Sequence, residues 1–323
     1  MASISISPKV YRRISLATVY GMALAIASGA AVRLTQSGLG CPDWPTCSAT
    51  HYTAAWSFHP MVEFSNRMLT IFLGIVVGVA VVASFYRSPR RKDLTLLSFG
   101  LVGGFVAEAI LGGITVLFKL MPELVMAHLL LSMAILFNAL WLYHRASTPD
   151  VAPRPVVGRS LIILSRLILV VVAGVIFLGT VVTGSGPHSG SPIAKRLPIP
   201  LQSAAFLHAD VVMFLIGLTL AALFGFHQAN APEEVQHKGR VLLWTMAAQA
   251  VIGYTQYFTH LPVLLVEMHV IGATLIWIFV VRLNFSLYTR PEPEYGLEKS
   301  SSDIIGKNSL DGQSVLTTTN STK

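Results

Sequence analysis

Eight stretches of this chain stay apolar for about the 20 residues that a helix needs to cross a bilayer core. They lie near residues 14–32, 62–86, 94–117, 123–144, 161–183, 203–227, 239–258 and 263–284. Lipid offers a backbone amide no hydrogen-bond partner. A run of this length must therefore satisfy its own backbone, either as a helix or as a strand of a closed barrel. Barrel strands alternate apolar and polar residues with period two, and these runs do not. The fold class expected is an all-α membrane protein with eight transmembrane helices. Only 12% of the residues are charged and 53% are hydrophobic, against about 25% charged in a soluble domain.

A formal net charge of +8 suits nucleic acid, but its placement points elsewhere. Lys9, Arg12 and Arg13 precede the first span. Arg87, Arg90, Arg91 and Lys92 lie between the second and third, and Arg145, Arg154 and Arg159 between the fourth and fifth. Lys238 and Arg240 precede the seventh, and Arg282 and Arg290 close the eighth. The opposite loops hold Arg33, Lys119, Lys195 and Arg196, with Arg67 just inside the second span. This asymmetry follows the positive-inside rule. It predicts a multi-pass protein of the cell (plasma) membrane with both termini cytoplasmic and the lipid bilayer, not nucleic acid, as its surroundings. The first span lacks a small-residue cleavage site and leads into further spans, so it reads as a retained helix. The expected divisions are a cytoplasmic N-terminus (1–13), a first four-helix half (14–145), a cytoplasmic linker (146–160), a second four-helix half (161–285) and a disordered cytoplasmic tail (286–323), whose Ser- and Thr-rich sequence shows no helical stripe.

The two halves read as copies. Residues 107–128, AEAILGGITVLFKLMPELVMAH, align without a gap on 248–269, AQAVIGYTQYFTHLPVLLVEMH, placing Gly112 on Gly253, Leu120 on Leu261 and His128 on His269. In the second and sixth spans, VEFSNRMLT against AAFLHADVV places Phe64 on Phe206 and Asn66 on His208. Four helices return the chain to the side it started from, so the copies are parallel, related by an axis along the membrane normal. Asn66, His128, His208 and His269 all fall on spans running from outside to inside. At 1.5 Å per residue they sit on the order of 8–10 Å below the outer end. A four-helix bundle that aims side chains from two helices at one level can ligate a flat cofactor. The second half thus offers His208 and His269 as a pair for heme iron, and the first half offers Asn66 and His128. The alternative is hydrogen bonding between helices. His51, His59, His144, His188, His227, His237 and His260 fall at helix ends or loops and read as interfacial, with His188 also placed to touch a heme propionate.

Both cysteines, Cys41 and Cys47, lie in the first outer loop, LGCPDWPTC. The oxidising side of a membrane favours a disulfide; two free thiols are the alternative, and two thiols alone do not fill a tetrahedral metal shell. Glu63 starts the second span, three residues before Asn66 and four before Arg67, which puts all three on one helical face. An acid at the edge of hydrocarbon is costly unless paired or functional. Glu63 is either an ion-pair partner of Arg67 or a carboxylate that moves protons at the first-half site. Glu108 and Glu267 also lie in apolar segments, but their repeat partners are Gln249 and Met126, so both rank below Glu63. Arg33 either neutralises a propionate or anchors the interface.

These motifs resemble the heme A synthase family: VRLTQSGLGCPDWPTC in the first outer loop, EFSNR opening the second span, LGGITV followed by His128, and YFTHLPVLLVEMH ending in His269. The resemblance covers about residues 12–285. It implies oxidation of the C8 methyl of farnesylated heme O to a formyl group by successive hydroxylations, through a gem-diol that loses water, giving heme A for terminal oxidase assembly. It implies that His208 and His269 are axial ligands of an electron-transferring heme b, that His128 is a ligand of the substrate heme O, that Glu63 is the essential carboxylate, with Asn66 and Arg67 beside it at the catalytic site, and that Cys41 and Cys47 are a loop pair with a structural or redox role. It implies a heme O synthase as donor of the substrate and an electron donor that the sequence does not name; a homo-oligomer is compatible. The family motif Glu-x-x-His-Arg is here Glu63-Phe64-Ser65-Asn66-Arg67. An amide oxygen is a poor ligand for heme iron. Either His128 alone holds the first-half heme, with Asn66 a hydrogen-bond donor near an open sixth position, or this half has lost its chemistry. Two rival readings remain: a di-heme cytochrome that only transfers electrons, and a parallel-repeat transporter, which would place its polar residues at the midplane.

Overall fold

The computed structural model describes residues 5–291, so most of the expected tail lies outside the described residues. The elements run α1 (Pro8–Leu34), α2 (Phe58–Tyr86), α3 (Lys92–Leu117), α4 (Pro122–Ala146), β1 (Arg154–Pro155), α5 (Arg159–Ser185), α6 (Leu201–Gln228), α7 (Glu233–Phe258), α8 (Val263–Ser286) and β2 (Tyr288–Thr289). Each expected span is a helix, extended at one or both ends by residues that leave hydrocarbon. Proline sets several starts. Pro8 is in the first turn of α1, where Ser7 caps the Val10 N–H, and Pro122 opens α4. Pro200, Pro232 and Pro262 precede α6, α7 and α8. Proline's fixed φ and missing N–H cost nothing at these places.

The α3–α4 and α7–α8 connections have the same backbone. Lys119 and Leu120 at φ 54° and 59° make the first, and His260 and Leu261 at φ 64° and 59° make the second. A leucine in the left-handed region costs about 1–3 kcal/mol. Each turn recovers a hydrogen bond to the preceding helix, from Leu120 N–H to the Thr115 carbonyl (2.9 Å) and from Leu261 N–H to the Gln256 carbonyl (2.7 Å).

Helices α1 to α4 form a ring of neighbours in which α4 returns to pack on α1. Helices α5 to α8 form another, in which α8 returns to α5. The rings meet where α1 and α4 pack on α8 and α4 packs on α5. Buried aliphatics such as Leu136 on α4 and Val280 and Val281 on α8 fill that seam. Across it the Trp277 indole N–H donates to the Met133 carbonyl at 2.9 Å. The outer faces carry large apolar side chains that remain exposed, Ile75, Val170 and Phe224 among them, as expected of a surface that meets lipid.

Seven of the eight helices are long and apolar enough to cross a membrane. The expectation of eight is corrected at α7. Its first turns carry Glu233, Glu234, Lys238 and Arg240, Gln249 interrupts its second half and Gln256 stands near its end, and it is not among the seven. Helix α7 still packs between α6 and α8, and Trp244, Val251 and Phe258 make an exposed apolar stripe at seven-residue intervals along it.

Two arginines counted above for their charge are buried and committed to the fold. Arg91 donates to the carbonyls of Arg145 (2.9 Å) and Thr148 (2.8 Å), and Arg145 pairs with Asp93 (2.7 Å) and Asp150 (2.9 Å). This network ties the start of α3 to the end of α4. Nearby, β1 in the linker pairs antiparallel with β2, Arg154 opposite Thr289 and Pro155 opposite Tyr288. The first residues of the segment expected to be a disordered tail are therefore ordered against the linker.

Replacing Trp277 tests the seam. Trp277→Phe removes the hydrogen bond, about 0.6 kcal/mol, and part of a buried ring, so it is expected to cost about 1–2 kcal/mol. Trp277→Ala also opens a cavity and is expected to cost about 3 kcal/mol. Thermal unfolding in detergent should rank wild type, Phe and Ala in that order.

Candidate functional site

His208 on α6 and His269 on α8 both stand about two turns in from the start of their helices. Diagonal helices of one ring thus present their imidazoles to each other, with ring centroids 6.4 Å apart and planes at 66°. The space is made by glycine on the preceding helix. Gly179 on α5 lies beside His208 and Gly253 on α7 beside His269, and a methyl group at either would stand 3.4 Å and 3.1 Å from the respective Cε1. His128 on α4 likewise lies beside Gly112 on α3, with Cε1 at 3.2 Å, but there Nε2 (3.6 Å) is the next atom, where His208 and His269 turn Nδ1 toward their glycines. The Nδ1 atoms of all three histidines are buried without an aligned hydrogen bond among the described residues, although the Val175 backbone lies close to His208. Unsatisfied buried polar atoms are uncommon and call for a cause.

The fit to a heme follows from bond lengths. Two imidazoles bonded to one metal from opposite sides, at about 2 Å per bond, hold their ring centroids about 6 Å apart. The 6.4 Å between the His208 and His269 ring centroids is close to that spacing. Imidazole nitrogen is also the donor that heme iron takes in electron-transfer sites.

In the first ring, Asn66, His128, Glu63, Arg67, Glu108 and Trp44 line one cavity of about 740 Å³, within the roughly 300–1,000 Å³ of ligand sites. The Asn66 side-chain oxygen accepts from the Ser28 hydroxyl at 2.7 Å. The polar group that Asn66 keeps for the cavity is then its NH₂, a donor. Arg33 also lines this cavity, as does Lys195 from the loop after α5. His188 instead bonds the Leu261 carbonyl at 2.8 Å, which holds that loop to the α7–α8 turn.

Cys41 and Cys47 are joined by a disulfide. Glu63 and Arg67 hold the loop that it closes. Glu63 is 4% exposed. One of its oxygens accepts from Arg67 at 2.7 Å and the other from the Cys41 backbone N–H at 2.7 Å. The Arg67 guanidinium also donates to the carbonyls of Cys41, Asp43 and Thr46, each at 3.0 Å. The Glu63–Arg67 pairing weighed from the sequence is thus present, and it extends into a clasp on the loop. Gly40 lets the loop seat: a methyl there would fall 2.4 Å from the His59 carbonyl oxygen. Beyond the clasp, Trp44 lies flat against Gly113 on α3, where an added methyl would meet its ring at 2.7 Å. The disulfide loop therefore forms a wall of the cavity.

Sequence reasoning did not single out Trp44, or the contact of Glu108 with His128 (Oε1 to Nδ1, 3.3 Å). Glu108 and Gly112, one turn apart on α3, were its only local signal. The partners lie on another helix.

The class is now defined: a multi-pass helical membrane protein with inward-facing histidines, one pair of them at metal-bridging distance. The cytochrome oxidase assembly protein model, COX15-CtaA, matches residues 12–189. The chain is similar to the Heme A synthase of Symbiobacterium thermophilum, 30% identical over 263 residues that cover 76% of this chain and 85% of the relative. It is similar to that of Shewanella oneidensis, 23% identical over 314 residues, 82% of this chain and 93% of the relative. Likewise it is similar to that of Bacillus cereus, 24% identical over 275 residues, 79% and 86%. The chain belongs to this family of cytochrome oxidase assembly proteins, the heme A synthases, which are oxidoreductases.

Removing the guanidinium of Arg67 strands a buried carboxylate and three loop carbonyls. Arg67→Ala is expected to destabilise by about 3 kcal/mol and to open residues 41–56 to limited proteolysis. Arg67→Lys should rescue only in part, because an ammonium cannot span four acceptors as the planar fork does.

Proposed function

We propose that this chain is a heme A synthase that oxidises the C8 methyl of heme O to a formyl group in the first-half cavity, by successive hydroxylations. In this reading the second half holds a heme b between His208 and His269. The observation that carries it is the 6.4 Å spacing of those two rings, which suits one metal between them. Such a heme would supply one-electron transfer, with His208 and His269 as the residues that would hold it.

The first half has a different equipment for a different task. It offers one imidazole, His128, and across the same cavity the NH₂ of Asn66. This suits a substrate heme O held from one side and hydrogen-bonded on the other. Glu63 and Arg67 fix the disulfide loop as a wall that keeps water from the reacting methyl, and they present a charged, hydrogen-bonded edge at the outer end. Arg33 and Lys195 line the same cavity and suit the heme propionates. A pure electron carrier needs no cavity of this size beside a single histidine.

The organisation proposed with this function is two parallel copies of a four-helix unit, with α7 as the eighth span. The matching rings of helix contacts and the paired left-handed turns support it. The charge asymmetry supports cytoplasmic termini in the cell membrane. A heme O synthase as donor of the substrate, a separate electron donor and delivery to terminal oxidase assembly follow from the same reading.

Co-expression with a heme O source in a host lacking its own synthase tests the activity: extracted heme should include heme A, and heme O alone would leave an electron-transfer cytochrome. His208→Ala and His269→Ala should each abolish the low-spin heme b spectrum, and an unchanged spectrum would refute the pair as ligands. The glycines give a graded test. Gly253→Ala crowds His269 at 3.1 Å and should lower heme b occupancy, whereas Gly179→Ala meets His208 at ordinary contact distance, 3.4 Å, and should leave it near wild type.

A further inference from the structure

The three glycine-flanked histidines differ in what meets the rest of the ring. Among the described residues, His128 alone of the three has a carboxylate within 4 Å of its ring nitrogens. Helix α3 turns Glu108 and Gly112, one turn apart, toward α4. Gly112 makes room for the ring, and Glu108 Oε1 stands 3.3 Å from Nδ1. Ser132, one turn beyond His128 on α4, donates its hydroxyl to the same Glu108 oxygen. The other oxygen, Oε2, is buried with no partner among the described residues. A carboxylate inside a membrane protein is expensive, and this one is aimed at an imidazole and held there by a serine.

The aligned positions of the second half carry different chemistry. Gln249 stands where the first half has Glu108, and Ala273 where it has Ser132. The Gln249 amide does not turn to the His269 ring. It donates to the His269 backbone carbonyl and packs against Gly272. The serine is gone with the carboxylate it would hold.

We propose that Glu108, fixed by Ser132, is the positioning residue of His128. It accepts the Nδ1–H, so that the lone pair of the ring lies on Nε2. The two atoms stand 3.3 Å apart without an aligned hydrogen bond, and χ2 of histidine is a soft torsion. A carboxylate on the outer nitrogen sets the tautomer and ring angle of a metal-binding histidine and makes it a stronger donor. An iron held by His128 would receive more electron density from its single imidazole than one held by His208 and His269 would from either of its two. That difference suits one site where heme O is oxidised and another where electrons only pass. The inference rests on the reading that His128 faces heme in the first half.

The test is resonance Raman spectroscopy of the full-length, heme-loaded ferrous protein. A five-coordinate, imidazole-bound iron gives an iron–nitrogen stretching band, and the bis-histidine heme does not. The band is expected in wild type, lost in His128→Ala, and moved to lower frequency in Glu108→Gln and Glu108→Ala. Ser132→Ala should move it the same way by less, and Glu108→Asp should restore part of the shift. The low-spin heme b signal in each sample reports that the variant has folded. If His128→Ala leaves the band in place, or wild type has none, the assignment of His128 fails and the proposal with it. If His128→Ala removes the band and Glu108→Gln does not move it, the His128 assignment stands and the role of Glu108 is overturned.

Discussion

A backbone amide in hydrocarbon has only its own chain to bond to, and the rest of this structure depends on that constraint. It makes every apolar run a helix and leaves the loops as the only irregular backbone. It also removes the usual driving force for burying apolar side chains, because lipid is as apolar as leucine. What holds the helices at fixed positions is close packing and a few directed polar contacts. Trp277 to the Met133 carbonyl across the seam, and Arg91 and Arg145 with Asp93 and Asp150 at the helix ends, are contacts of that kind.

The site is built from the same economy. Three times, a glycine on one helix leaves the gap into which the next helix sends an imidazole. The rest of the surroundings then sets the halves apart. The second ring brings two imidazoles to metal-bridging distance. In the first ring the position aligned with His208 is Asn66, whose oxygen is held by Ser28, and its space opens as a cavity walled by the disulfide loop. Glu63 and Arg67 join site to loop, since both residues line the cavity and both bond the loop backbone. A change at either residue therefore alters the shape of the wall as well as its charge.

Much of this was legible in one dimension. The positions of the helices and the matched His128 and His269 follow from hydropathy and from an ungapped repeat. Helix α7 was the exception in the fold: Gln249 and Gln256 dilute its hydropathy, and its apolar stripe shows only when its neighbours are known. In the site, Glu63 and Arg67 were found because helical spacing puts them on one face. Their hold on Cys41, Asp43 and Thr46 was not, because a loop's path is not periodic. Glu108 ranked low for want of an acid at the repeat position. The structure makes that asymmetry its most informative property.

The sequence by itself determined an all-helical chain with membrane-length apolar runs, a repeated segment that ends in His128 and His269, and a cysteine pair in the loop after the first run. These are properties of composition and period, and backbone physics in lipid leaves them little choice. Only the tertiary structure decided that His208 and His269 face each other, that the disulfide loop walls the first-ring cavity, and that Glu108 reaches His128 where Gln249 turns away from His269. Those outcomes depend on rotations of whole helices and on side chains from separate segments meeting in space, and no periodicity within a single segment encodes them.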